Sequence, residues 1–149
     1  METKFLDSKE KKQLLMRISK QYGINELKLD YIFLKDQKGK IYLISNKLRE
    51  FDRERLNIVS YGLYFAREES ELRLSIEGSQ LIGKNATKNI IELNEKQIKQ
   101  WMQGLDIDID SDCDGFVLIK HNKDFYGCGK YKDNKILNFI SKDRRIKFE

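Results

Sequence analysis

The sequence predicts an α+β fold of two units, an N-terminal α/β unit packed on a C-terminal, barrel-like β unit. A long helical pattern opens the chain, and short strand-like runs follow it. A second helical pattern, near residue 95, is followed by strand-like runs that turn residues separate. The intervening stretch Gly83–Lys88 is small and polar, which is typical of a connection between domains. We therefore predict domains at 1–84 and 85–149.

The first predicted element is a helix over 8–22. Apolar residues recur on one face at helical spacing: Leu14, Leu15, Ile18 and Tyr22. Asp7 and Glu10 have the spacing of a capping box, in which the two side chains satisfy backbone N–H groups of the first turn. Gly23 follows and suits the left-handed backbone that ends many helices.

Strand-like runs follow this helix. Tyr31–Lys35 and Lys40–Ser45 flank Asp36–Gly39, and this order predicts a β-hairpin with a glycine-containing turn. A short, charged helical pattern covers 46–57. The run Ile58–Arg67 is strand-like again because apolar side chains alternate along its second half.

Capping residues mark two further helix starts. Ser75 is suited to cap a short helix that ends at Gly83. Asn94 and Gln97 form a second capping-box pattern directly after a strand predicted at Asn89–Leu93.

Strands dominate the rest of the chain. The helix that Asn94 opens stops at Gly104, and one of its faces is apolar: Ile98, Trp101 and Met102. Turn signals then separate the remaining predicted strands: Leu105–Ile109, Phe116–His121, Phe125–Lys132 and Lys135–Phe139. A helix followed by short strands predicts a compact barrel-like sheet with the helix plugging one end.

Composition narrows the possible functions. The 149 residues carry a net charge of +5 with both signs interspersed, which is compatible with a polyanionic partner but does not require one. Cys113 and Cys128 have no second pair with which to build a zinc site or a disulfide framework, so reduced, buried thiols are expected. No apolar run reaches the length of a membrane span, and the first residues are charged rather than signal-like. We expect a cytoplasmic protein with no membrane partner.

The sequence favours neither a metal site nor a catalytic centre. Asp110, Asp112, Asp114 and Gly115 have the spacing that opens a calcium-binding loop, but His121 stands where that loop needs a bidentate glutamate. An alternation of Asp and Ile is typical of a half-exposed strand that ends in an acidic turn. The single histidine has no recognisable nucleophile beside it, and no phosphate-binding glycine loop is present. We therefore expect no catalytic residue, no metal and no cofactor.

Basic and aromatic residues cluster in the last third of the chain. They include Tyr126, Lys130, Lys132 and the tail cations Lys142, Arg144, Arg145 and Lys147. Cations neutralise phosphates and aromatic rings stack on unpaired bases, so the cluster fits an RNA-binding surface. It fits equally well a solvated strand face whose aromatic residues belong to the core. The lysines and arginine of the first helix are better explained as an exposed helix face.

From Ile41 onward the order of motifs resembles a known family. The motifs are Val59–Tyr64, Met102–Asp106, Gly115–Ile119, Phe125–Lys130 and Asn138–Ile146. Their succession resembles the PUA-containing C-terminal region of Sun-family RNA cytosine-5 methyltransferases. A pre-PUA α/β domain followed by a PUA domain also resembles the nucleolar-type pre-ribosome assembly factor, and there the first helix and hairpin find counterparts too.

The resemblance implies a pre-PUA domain at 1–84 and a PUA pseudo-barrel at 85–149. It implies RNA contacts by the helix after the first strand and by the glycine turn that follows, with basic strand ends and the tail adjoining. The matching positions are Lys96, Lys99, Gln103 and Gly104, with Lys130, Lys142, Arg144 and Arg145 beside them. The catalytic region of those methyltransferases has no counterpart, and with no proline the chain has no Pro-Cys nucleophile motif.

These expectations together predict a non-catalytic protein that recognises structured rRNA or tRNA and supports ribosome biogenesis or RNA modification. An RNA methyltransferase or a ribosome-assembly factor is the expected protein partner. The alternative is a protein-interaction adaptor for such an enzyme or factor. An exposed apolar patch on the N-terminal unit, together with no basic stripe on the C-terminal unit, would favour that alternative.

Overall fold

The N-terminal half forms an antiparallel sheet in which the strands pair in chain order. The structure is a computed structural model that describes residues 3–46 and 62–148. The strands of this first sheet are β1 (Thr3–Phe5), β2 (Tyr31–Asp36), β3 (Lys40–Ser45), β4 (Leu63–Glu68) and β5 (Leu72–Leu74). The predicted hairpin is confirmed as β2 and β3, in which Tyr31 lies opposite Ser45 at one end and Lys35 lies opposite Ile41 at the other.

Helix α1 (Ser8–Tyr22) has the predicted bounds and the predicted caps. The Asp7 carboxylate accepts from the Glu10 N–H at 2.8 Å, and the Glu10 carboxylate accepts from the Asp7 N–H at 3.2 Å. Gly23 ends the helix with φ 64°. The predicted apolar face is confirmed, since Leu14, Ile18 and Tyr22 are buried.

Two strands of the first sheet were not predicted. β1 and β5 have three residues each, which is too short for an alternating pattern to show. Apart from Asn46, the helical pattern predicted at 46–57 lies outside the described residues, and so do the first residues of the predicted run Ile58–Arg67.

Helix α2 (Ile76–Gly83) connects the two sheets and packs against strands of both. Its predicted cap is confirmed because the Ser75 hydroxyl accepts from the Gly78 N–H at 2.8 Å. A Cβ atom at Gly78 would lie 2.1 Å from the Phe65 carbonyl oxygen, so only glycine permits this close approach of helix and strand.

The C-terminal half forms a second sheet with an open, non-sequential strand order. In spatial order its strands are β6 (Ile90–Glu92), β8 (Gly115–His121), β9 (Asp124–Lys132), β10 (Lys135–Leu137) and β7 (Ile107–Asp108). β6 and β8 are parallel, and the other neighbours are antiparallel. Helix α3 (Glu95–Met102) lies between β6 and β7 in the chain and begins at the predicted Asn94 cap. This α+β architecture confirms the predicted fold class.

Strands β7 and β10 are shorter than predicted because Asn138 ends their pairing. Its amide nitrogen donates to the carbonyls of Trp101 and Leu105 at 2.8 and 2.9 Å. Its backbone N–H donates to the Asp106 carboxylate at 2.9 Å. These bonds tie the chain after β10 to the end of α3 instead of extending the ladder to Phe139.

Both faces of the second sheet are buried. Along β8, Phe116 and Leu118 belong to a core shared with α1 and the first sheet, whereas Val117 and Ile119 belong to a core beneath α3. Because the first core is shared, the two units form one packed body. The domain boundary at 84/85 falls between the sheets, directly after α2, and stays a prediction.

Within the described residues, no helix combines the length and the apolar character needed to cross a bilayer.

Candidate nucleic-acid interface

Helix α3 is fixed so that its basic residues remain in solvent. The Asn94 side chain accepts from the Gln97 N–H at 2.8 Å, and the Gln97 side chain accepts from the Asn94 N–H at 3.0 Å. Trp101 is fully buried, and its indole N–H donates to the Tyr126 carbonyl at 2.9 Å. With Ile98 and Trp101 facing the core, Lys96 and Lys99 are exposed neighbours three positions apart.

The C-terminal tail returns to this helix. The Ile146 N–H donates to the Met102 carbonyl at 2.8 Å. The Lys99 ammonium lies 6.0 Å from the centroid of the Phe148 ring. Gly104 has φ 92°, and a Cβ atom there would lie 2.3 Å from Nε of Arg145, so the guanidinium rests directly on the glycine.

We name this assembled face the α3–tail surface. It consists of Lys96, Lys99, Gln103, Gly104, Arg145 and Lys147. These residues were predicted separately from the helix and from the tail. The fold brings the two segments together across more than 40 positions of sequence, through the contacts of Ile146 with Met102, Phe148 with Lys99 and Arg145 with Gly104.

The cations of the α3–tail surface have few carboxylates near them to neutralise their charge. Lys99 lies 3.9 Å from Glu95, and both side chains are largely exposed. Among the described residues, Lys96, Arg145 and Lys147 have no carboxylate within ion-pair distance. Nε of Arg145 instead donates to the Ile140 carbonyl at 3.1 Å, which leaves its positive charge unneutralised. Such a surface attracts phosphate groups.

Other predicted positions lie elsewhere. Lys130 forms an ion pair with Glu71 at 2.7 Å and lies over the Phe116 ring, on the side of the first sheet. Lys132 is exposed at the far end of β9. Tyr126 is half-buried against the core beneath α3, with its ring 6.5 Å from that of His121, so its position favours the core interpretation.

Arg144 fastens the tail to α2. Its guanidinium donates to both Glu77 carboxylate oxygens at 2.8 and 2.5 Å. This pairing lowers the pKa of Glu77 and raises the pKa of Arg144. Lys142, in the same 3-10 turn (Lys142–Arg144), is exposed. The tail cations therefore divide between the α3–tail surface, solvent and this ion pair.

A second basic site was missed by the sequence patterns. Lys40, Arg67 and Arg73 line a cleft of about 430 Å³ between the first sheet and the tail, together with Tyr64 and Phe139. Nothing in the sequence marks these cations, since isolated Lys and Arg are ordinary in half-buried strands. Only the pairing register of β3, β4 and β5 could have placed them side by side.

The other candidate groups have structural surroundings. No three His, Cys, Asp or Glu side chains gather into a metal-binding group in the part of the chain that the structure describes. Nδ1 of His121 lies 2.8 Å from the Leu93 carbonyl. Both cysteines are free thiols, and Cys128 is buried as predicted whereas Cys113 is half-buried. The Cys128 sulfur lies 3.5 Å from the Tyr22 hydroxyl, and burial raises the pKa of this thiol to about 11.

Comparisons with known proteins agree with this architecture. Residues 88–146 match the family model described as the methyltransferase RsmF PUA domain. The structure is similar to that of a conserved PUA domain protein from Thermoplasma acidophilum, with a TM-score of 0.59, 16% sequence identity and 93% of each chain covered. At that identity the likeness shows the fold. No curated protein matches the chain.

Proposed function

We propose that this PUA-containing protein binds structured rRNA or tRNA without catalysing a reaction, and so supports ribosome biogenesis or RNA modification in the cytoplasm. The observation that carries the proposal is the α3–tail surface, on which the PUA domain gathers exposed cations that have little carboxylate compensation.

The affinity for RNA is expected to come mainly from the release of counterions that are condensed on the RNA. Each phosphate that a lysine or arginine neutralises frees a condensed cation, so the affinity falls as salt rises. Lys96, Lys99, Arg145 and Lys147 are all exposed, so they can contact successive phosphates of a backbone without enclosing a base. Binding is therefore expected to tolerate changes of sequence more readily than changes of RNA shape.

A protein partner is part of the same proposal. The matching family model is that of a methyltransferase's PUA domain. We infer that an RNA methyltransferase or a ribosome-assembly factor acts on the RNA that this protein holds.

The test measures RNA affinity against salt. The protein and its K96A/K99A/K147A variant are titrated with fluorescent tRNA and an rRNA hairpin between 50 and 300 mM KCl. The parent should show a slope of log affinity against log salt of about −3, because about three or four phosphates are contacted. The variant should have a slope close to −1 and bind more weakly at low salt.

The matched control removes the same charge from α1. Lys9, Lys12 and Lys20 are exposed there, and K9A/K12A/K20A should leave the slope unchanged. Equal slopes for the parent and the α3–tail variant would contradict the proposal, as would an equal effect of the control.

A second candidate function is favoured by one groove. Beside α1, apolar side chains line a groove of about 660 Å³ with a lysine rim, and Met16 in it is 61% exposed. An acidic amphipathic helix of a partner protein fits an apolar groove with a lysine rim, and an adaptor would bind such a helix. The adaptor function would be favoured if such a partner were identified, if M16D lost affinity for that partner, and if the parent protein bound no RNA. RNA binding by the parent that M16D retains would favour the first proposal.

A further inference from the structure

We propose that the cleft between the first sheet and the tail binds one unpaired nucleotide of the RNA, with a phosphate on the cations of β3, β4 and β5 and the base against Phe139. This inference rests on the proposed RNA binding and adds a second, separate contact to it.

The cations form a row across three strands. Lys40 on β3 pairs in register with Arg67 on β4, and Arg67 pairs with Arg73 on β5. Directly opposed residues of antiparallel strands point to the same face, and all three line the cleft. Like charges placed opposite one another destabilise a sheet, so this row has an unfavourable self-energy that a bound anion would relieve.

Little in the protein neutralises the row. Arg67 pairs with the exposed Glu69 at 2.8 Å, while its buried Nε has no hydrogen-bond acceptor. Among the described residues, neither Lys40 nor Arg73 has a carboxylate within ion-pair distance. A buried donor without an acceptor is costly, and a phosphate oxygen is a strong acceptor for a guanidinium.

Aromatic rings stand beside these charges. The Arg73 guanidinium lies 4.5 Å from the centroid of the Phe139 ring, and the Lys40 ammonium lies 5.4 Å from that of Tyr64. Phe139 is 40% exposed, so one part of the ring remains available to a base. Phosphate-binding cations interleaved with stacking rings are the usual composition of a site for single-stranded RNA.

The tail limits what can enter. Ser141, Asp143 and Arg144 of the tail also line the cleft, and the Arg144–Glu77 pair fastens this part of the tail to α2. A cleft of about 430 Å³ lies within the range of roughly 300–1,000 Å³ of small-molecule sites, which suits a single nucleotide and excludes a duplex. A paired base would first have to unpair and unstack to reach Phe139, which costs about a few kcal/mol, so an unpaired nucleotide is favoured.

The experiment compares three RNAs that differ only at one end. They are a blunt hairpin, the same hairpin with a two-nucleotide extension, and the same hairpin with an abasic extension. The parent should bind the extended RNA roughly tenfold more tightly than the blunt one, in the range measured for one stacked base. F139A should bind the extended and abasic RNAs equally, and K40Q/R73Q should lose the preference for any extension.

Controls separate this inference from the proposal beneath it. K9Q/K123Q removes the same charge from exposed positions that do not line the cleft and should keep the preference. Circular dichroism and urea unfolding verify that each variant is folded. If the parent binds all three RNAs equally, or K40Q/R73Q keeps the preference, the cleft inference is wrong and RNA binding stands. A parent that binds none of them overturns both.

Discussion

Cys128 and Tyr22 meet where α1 packs against the second sheet. The thiol is buried, and burial raises its pKa from 9.0 to about 11, while burial also raises the pKa of the Tyr22 hydroxyl. In both groups the folded state favours the neutral form. Their contribution to stability is therefore present below the unfolded-state pKa values and is lost as the pH rises through the folded ones.

We predict that the free energy of unfolding falls between about pH 9 and pH 11. Cys128 contributes on the order of 3 kcal/mol to this fall in the free energy of unfolding, since two pKa units separate its folded and unfolded states. Urea unfolding at several pH values measures it. C128A should be less stable at pH 7 because of the small cavity, yet should lose less between pH 9 and 11. The same decline in both proteins would contradict this assignment.

Gly104 supports the α3–tail surface through its backbone. We predict that G104A costs more than the roughly 1–2 kcal/mol expected from its positive φ, because the new methyl group would displace Arg145. G115A is the matched control: φ there is 73°, and the nearest side-chain atom would lie 3.6 Å from the added Cβ. In an R145A background the two glycine variants should cost the same. An undiminished difference would show that Arg145 does not rest on Gly104.

At the scale of elements, the cap of α3 sets where its lysines stand. We predict that N94A lowers the free energy of unfolding by about 1 kcal/mol, because the Gln97 N–H loses its acceptor. N94D should retain nearly full stability since a carboxylate caps as well as an amide does. Thermal and urea unfolding of the two variants check this. Equal losses would place the effect outside the cap.

The helices were predictable because their signals are local. Asp7, Ser75 and Asn94 each cap the helix that follows, and the cap and the apolar period can both be found within a few residues. Strand ends were less predictable, as Asn138 shows. It ends β10 by bonding to the end of α3, a contact more than 30 positions away in sequence.

The candidate site also contains residues whose exposure follows from a local pattern and residues whose placement depends on contacts distant in sequence. Lys96 and Lys99 were predictable as exposed because Ile98 and Trp101 define the buried face of their own helix. The row of Lys40, Arg67 and Arg73 was not, since it depends on the register of three strands. The surroundings of Lys130 were not predictable for the same reason, because its ion pair with Glu71 joins the two sheets and no local pattern indicates that contact.

At the scale of the whole molecule, the tail borders both basic sites. Phe139 and Arg144 form part of the cleft, and Arg145 forms part of the α3–tail surface. An RNA that lies along the tail can thus contact both sites at once. This arrangement groups cations that lie far apart in the sequence, which the net charge of +5 alone could not show.

RNA binding through the tail and α3 can be tested by crosslinking the protein to RNA in its native cells, with sequencing of the bound RNA and mapping of the crosslinked peptides. We expect enrichment of rRNA or tRNA, with crosslinks in 96–104 and 139–147. Recovery of no RNA above background, or crosslinks confined to α1, would contradict it.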